Sequence, residues 1–291
     1  MKHRIIVMML TLCAAVSCGN ADKAYVRKAV KLMDRQGLFA EGPEWKEARA
    51  EALAASPRSA DEAKDVVRKA LKVAGGKHST IKTSGRVVED ATSEWTMPTV
   101  SLEEDGIAII TLPYFSGNRE EGISYAQTVI NALPDALPGA VIDLRGNVGG
   151  NMYPMISAIH RFLPDDDILR FRSRKRTTWI QLPFVLQATG VERAAGINCP
   201  IAILTDDMTG SSGEATLLTF RGLDNVRTFG APTAGYASAN KPFDMPDGSE
   251  LILTTGCDVA RTGEVFCDDP IAPDVLTDSP MEDALAWLRA I

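Results

Sequence analysis

From about residue 77 onward the sequence alternates short apolar runs with helix-forming stretches, and nothing else in it limits the fold so strongly. Ile107 to Leu112 reads as a strand and Gly122 to Leu133 as a helix. Ala140-Val141-Ile142-Asp143-Leu144 reads as a buried strand, leading through a glycine-rich turn into a helix from about Tyr153 to Phe162. Pro200 to Thr205 is a further strand, followed by a turn and a helix from Gly213 to Arg221. Val226 to Phe229 and Leu251 to Thr255 complete the set. Such alternation predicts an α/β layered core with mostly parallel strands, because each crossover helix must cover a face of the sheet.

The first 76 residues follow a different pattern. Lys2, His3 and Arg4 precede an apolar run from Ile5 to Val16 that ends in small residues. That is the layout of a secretory signal, and the run is too short for a permanent membrane span. Ala15-Val16-Ser17-Cys18 resembles a bacterial lipobox, so residues 1–17 are expected to be a lipoprotein signal and Cys18 the lipidated first residue. Ordinary signal cleavage is the alternative. Beyond it, Ala24, Val26, Ala29, Val30 and Met33 recur at helical spacing up to Gly37. A second helix is expected over about Glu44 to Ala54, and a third after the cap Ser59, with Asp61 and Glu62 in its first turn. Residues 18–76 therefore read as a small helical cap, and 77–291 as the core.

Composition excludes several functions. A net charge of -7, with no Lys/Arg cluster, argues against nucleic acid and would suit a cationic peptide substrate. Three histidines without a Cys or His pair at ligand spacing argue against a metal, and no motif calls for a cofactor. Of the five cysteines, Cys13 leaves with the signal and Cys199, before an apolar strand, reads as a buried inert thiol. Cys257 and Cys267 flank a turn at Thr262-Gly263 and could pair across it outside the cytoplasm. Oligomeric state cannot be read from the sequence.

Two turns carry the chemistry. Thr209-Gly210-Ser211-Ser212-Gly213-Glu214 follows an apolar strand and opens a helix, the context that presents a nucleophile in hydrolases. The same string is a helix cap, since Glu214 stands three residues after Ser211. Arg145-Gly146-Asn147-Val148-Gly149-Gly150-Asn151 lets the backbone approach a ligand and aim N–H groups at it, as an oxyanion hole requires. A phosphate cradle would need a following Lys-Ser/Thr, which is missing, and a purely structural turn is the remaining reading. For the base, His3 leaves with the signal and His160 sits beside Arg161 in a helix, where packing explains it. His78 remains, in Gly75-Gly76-Lys77-His78-Ser79-Thr80.

Taken in order, Asp143 to Gly150, Leu204-Thr205-Asp206 and Thr209 to Glu214 resemble the C-terminal processing (tail-specific) protease superfamily. Val226 to Gly235 and Pro270-Ile271-Ala272-Pro273-Asp274 match its later landmarks, and Ile107 to Phe115 its opening strand. The resemblance implies a ClpP/crotonase-like core and a serine peptidase. Its tail-specific branch places a Lys directly after Pro-Thr-x-Gly, whereas here Tyr236 follows Pro232-Thr233-Ala234-Gly235, so a Ser–Lys mechanism is not supported. The tricorn-like and nisin-resistance-protein-like branch takes a His from an upstream loop instead, and Gly76-Lys77-His78-Ser79 matches that loop. A PDZ module is missing: only about 25 residues separate His78 from the opening strand, and small domains usually need about 50 or more. The pattern looks most like the nisin-resistance-protein type.

What this implies is a Ser–His mechanism, with Ser211 as nucleophile, His78 as general base, and the N–H of Ser212 with that of Gly149 or Gly150 as oxyanion hole. The tricorn-like branch places an orienting acid near Glu264, Asp268 and Asp269, of which Asp269 is the candidate; a dyad without it is the alternative. The expected protein is an envelope serine endopeptidase with a lipid anchor in a membrane, acting on a peptide or protein, trimming peptide C-termini or cationic antimicrobial peptides. A non-catalytic peptide- or lipid-binding module on the same fold, or an envelope amide or ester hydrolase, are the rival readings.

Overall fold

A computed structural model supplies the fold and describes residues 21–83 and 95–291. The expected signal and Cys18 lie outside these residues. The chain divides into two compact units, one made of the described residues up to 83 with Ala239–Gly256, the other of residues 95–238 with Cys257–Ile291.

The first unit is built on α1 (residues 21–36), α2 (Gly42–Ala54), α3 (Ala60–Gly75) and the short strand β1 (Thr80–Lys82). In α1, Val26, Ala29, Val30 and Met33 are buried as expected, while Ala24 is exposed and Tyr25 takes the inner face. Ser59 caps α3 by accepting from the Glu62 N–H at 3.2 Å. Leu251 and Leu253 pack with Val67, Leu71 and Ile81 in one apolar cluster, and residues 80–82 pair antiparallel with 250–252. The compact units therefore do not divide at residue 76. A late segment completes the helical core, its Leu251 and Leu253 covering the apolar face of the amphipathic α3.

The second unit contains β2 (Thr99–Leu102), β3 (Ala108–Thr111), α4 (Arg119–Ala132), β4 (Ala140–Asp143) and α5 (Met152–Ala158). Then follow β5 (Asp167–Arg172), β6 (Thr177–Gln181), α6 (Leu182–Thr189), β7 (Ile201–Thr205), α7 (Ser212–Leu218) and β8 (Val226–Gly230). Strands β9 (Ser238–Asp244) and β10 (Glu250–Val259) lie mostly in the first unit; β11 (Val265–Phe266), β12 (Val275–Leu276) and α8 (Pro280–Arg289) end the second. Its main sheet runs β12-β8-β7-β4-β3-β2, parallel throughout except for β2 against β3. Ile142, Ile201 and Ile203 face a large core cluster with Tyr125, Met155 and Leu218. Val141, Ala202 and Leu204 face the opposite cluster, with Ala284 and Leu288 of α8. Helices on both faces explain why β4 and β7 read as unbroken apolar runs.

The antiparallel pair β5–β6 was not legible in the sequence, since Asp167, Arg170 and Arg172 break the apolar pattern. The end of β10 pairs antiparallel with β5 and β11, and a disulfide joins Cys257 to Cys267 across the turn at Gly263, where φ is 90°. Cys199 is buried and free, with burial pushing its thiol up to about 11.

Candidate active site

Two turns at the C-terminal ends of the adjacent strands β4 and β7 meet to form the site. After β7, Asp206 accepts from the N–H of Thr209 at 2.9 Å and from its hydroxyl at 3.0 Å, closing a tight turn. The same carboxylate accepts from the Gly146 N–H at 3.0 Å, which ties the glycine-rich turn to this one. Ser211 then stands at the start of α7 with φ 53° and ψ −116°. Among the described residues it is the one non-glycine with positive φ. A side chain held there costs about 1–3 kcal/mol, so surrounding bonds must over-determine it.

Glu214 supplies those bonds. It is fully buried and accepts from the N–H of Ser211 at 2.8 Å, of Tyr236 at 2.7 Å and of Gly235 at 2.9 Å, and from the hydroxyl of Thr233. Because the Ile271 N–H donates to Thr233 Oγ1 at 2.8 Å, the Thr233 proton is free to point at Glu214. Burial raises the Glu214 pKa and these donors oppose that rise. The sequence showed Glu214 only as a possible cap. Its grip on residues 233–236 depends on chain about 20 positions away and leaves no local signal.

The glycine-rich turn supplies N–H groups. Asn147, fully buried, donates to Leu112 O at 2.9 Å and accepts from the Gly149 N–H at 2.9 Å. Gly149 has φ 110°, and a Cβ there would lie 2.8 Å from Ser211 Cβ and 2.9 Å from Ser212 N. A Cβ on Gly213 would lie 2.7 Å from Asn147 O, so both turns need glycine for their close approach. Ser212 Oγ donates to Gly150 O at 2.6 Å. Ser212 opens α7, so its N–H has no intrahelical acceptor. Neither this N–H nor that of Gly150 bonds to a described residue. Of the two glycines considered as oxyanion donors, Gly149 already donates to Asn147 and Gly150 does not. Gly149→Ala is expected to lower kcat/KM by about 100-fold or more with little loss of secondary structure, checked by peptide turnover beside circular dichroism.

His78 belongs to the first unit and Ser211 to the second. Gly76 ends α3 with φ 67°, and Ser79 Oγ donates to Gly75 O at 2.9 Å and accepts from the Thr254 N–H at 2.9 Å. Asn240 Nδ2 donates to His78 O at 3.2 Å, so the backbone of this loop is pinned. Burial, with a smaller effect of Lys77, lowers the His78 pKa to about 4. His160 is fully buried in a 3-10 turn; its Nε2 accepts from the Ala194 N–H, which leaves Nδ1–H to donate to Ser157 O at 2.7 Å. Both its nitrogens are occupied, as a packing role requires. Asp269 is exposed and bonds to no described residue. Glu264 is held by Arg221 through bonds of 3.0 and 2.8 Å, which lower its pKa to about 2. Among the described residues no group of His, Cys, Asp and Glu could hold a metal ion.

A strained serine between a parallel strand and a helix, with free N–H groups beside it, defines the class as a serine hydrolase on an α/β fold. The chain belongs to peptidase family S41, whose model matches residues 106–277, well over half of the 291. It is a serine peptidase of that family, as the ordered motifs led one to expect. Over 283 residues it is 32% identical to the nisin-resistance protein of Lactococcus lactis subsp. lactis, covering 93% of this chain and 88% of that one. The solved structure of a lipoprotein from Streptococcus agalactiae superposes with a TM-score of 0.84 at 31% identity, covering 93% of this chain and 96% of that one. The photosystem II D1 C-terminal processing protease shares the fold, with a TM-score of 0.63 at 14% identity over 89% of this chain and 93% of that one.

Proposed function

We propose that this protein is a lipid-anchored endopeptidase of the cell envelope that cuts small cationic peptides by a Ser211–His78 mechanism. The observation that carries the reading is the strained backbone of Ser211, the one non-glycine with positive φ among the described residues. His78 takes the Ser211 proton as Oγ attacks the scissile carbonyl carbon, then returns it to the amine as the C–N bond breaks. The N–H groups of Ser212 and Gly150 hold the oxyanion, with Gly149 shaping the turn. Water then attacks the acyl-enzyme through the same base and frees the acid product. What supports His78 is the match of its loop to the upstream-His branch and the similarity to the nisin-resistance protein along most of the chain. Exposed Asp269 is given no part, and the pair acts as a dyad.

The anchor rests on the Ala15-to-Cys18 pattern and on the likeness to a streptococcal lipoprotein. Among the described residues no helix is long and apolar enough to cross a membrane. Cationic peptides suit the net charge of -7 and the nisin-resistance relative. Mass spectrometry of a mixed pool of cationic and neutral peptides, digested by the wild type and by Ser211→Ala, tests the reading. Cuts that appear equally with both samples would sink it.

The pH profile tests the base. Since native His78 titrates near 4, kcat/KM should stay level from neutral pH to about pH 5 and fall as His78 gains its proton. His78→Ala should lower kcat by about 1000-fold and remove that limb. Stability moves the same way: an unfolded His78 binds its proton near 6.5 and the native one near 4, so its contribution is complete above 6.5 and is lost as pH falls through 4. An acid limb that survives His78→Ala would assign the titration to another group.

A further inference from the structure

A cavity of about 260 Å3 lies in the second unit where the start of α4 meets the start of α5 and the end of α6. Arg119, Asn151, Tyr153 and Thr189 are on its wall. Asn151 follows directly on Gly150, so the cavity borders the turn that carries the free N–H beside Ser211. The mechanism above does not use it.

Its wall holds unused donors of one kind. Arg119 makes no ion pair or hydrogen bond with a described residue and, among the described residues, is the only charged side chain lining the space. Its guanidinium lies against Gly190 at the end of α6, where an added Cβ would be 3.1 Å from Nη2. Asn151 accepts with Oδ1 from the Tyr153 N–H at 3.1 Å, and its amide NH2 has no described partner. The Tyr153 hydroxyl is also without one, and burial raises its pKa, which keeps it a donor. Nearby Glu121 is occupied, accepting from the Asn118 N–H at 2.6 Å, and does not line the cavity. Beside it, Phe184 is 51% exposed and its ring stands 6.2 Å from that of Tyr153, an apolar shelf at the rim.

An exposed guanidinium beside two neutral donors, with no acid partner among the described residues, suits an anionic oxygen group, and on an unmodified peptide that group is a carboxylate. We propose that this cavity is a substrate subsite that binds a peptide carboxylate, with Arg119 as the residue that sets this specificity. The inference rests on the peptidase reading of Ser211, since it takes the ligand to be the peptide being cut. On a peptide the carboxylate is either the free C-terminus or an Asp or Glu side chain. The start of α4, a helix of 14 residues, adds its positive end to the same space.

Binding can be measured apart from cleavage. Three fluorescein-labelled, lysine-rich decapeptides would be titrated by anisotropy against the protein carrying Ser211→Ala: a free-acid form, its C-terminal amide, and an amide with one internal Glu. The free acid or the Glu amide should bind at least about tenfold more tightly than the plain amide, as expected for a charge-assisted bond. Which of the two gains identifies the source of the carboxylate. Arg119→Gln should close the gap, and Arg119→Lys should restore part of it. Equal affinity for all three peptides, no binding of any, or a preference that Arg119→Gln leaves unchanged overturns the proposal. Cleavage of the free-acid peptide by the unmutated protein, followed in parallel, tests the peptidase reading by itself.

Discussion

Ser211→Ala is expected to reduce peptide cleavage by about 1000-fold or more while leaving the thermal midpoint unchanged or slightly raised. The loss in rate follows from removing the atom that forms the acyl bond; what remains is the help given by bound N–H groups. The effect on stability follows from the backbone. Alanine at φ 53° keeps the steric strain of serine, and the bond from the residue 211 N–H to Glu214 does not involve the side chain. Ser211→Gly sharpens the test. Glycine relieves the strain, so the midpoint should rise by an amount worth about 1 kcal/mol while activity stays lost. A variant with a lower midpoint and partial activity would mean that Ser211 serves the fold rather than the reaction.

Glu214→Ala should be the most damaging single change to this turn, lowering stability by about 3–5 kcal/mol in denaturant titration and kcat/KM by at least about 100-fold. The carboxylate itself stabilises the fold less than its four bonds suggest, because burial raises its pKa against their pull. Removing it is costly for another reason. The N–H groups of Ser211, Gly235 and Tyr236 and the hydroxyl of Thr233 lose their shared acceptor inside a dry site. Ser211 is then free to relax to negative φ, which turns Oγ away from its working position. Glu214→Gln should fall between the two, since it keeps the volume and one acceptor oxygen. If Glu214→Ala lowers stability yet leaves kcat/KM intact, the carboxylate supports the core and not the serine.

How much of this was legible depended on how local the cause was. Helix α3 and the parallel strands follow from periodicity and caps that lie within a few residues, as at Ser59. The doubly covered strands β4 and β7 announced themselves as unbroken apolar runs. By contrast, Leu251 and Leu253 join the helical unit through a pairing with residues 80–82, and nothing near them in sequence says so. The helix α8, not anticipated, covers the second face of the main sheet with Ala284 and Leu288 alone fully inside. In the site, the glycines and Ser211 could be picked out because strain restricts residue type. Which glycine keeps a free N–H could not, since the choice is made by where the Asn147 side chain points.

The contact between Glu214 and residue 236 bears on which side chains the turn tolerates. The carboxylate takes hold of the backbone N–H of Tyr236, a group that every residue except proline carries. That contact therefore sets no requirement on which side chain follows Gly235. The side chain at position 236 can therefore change without rebuilding the serine turn.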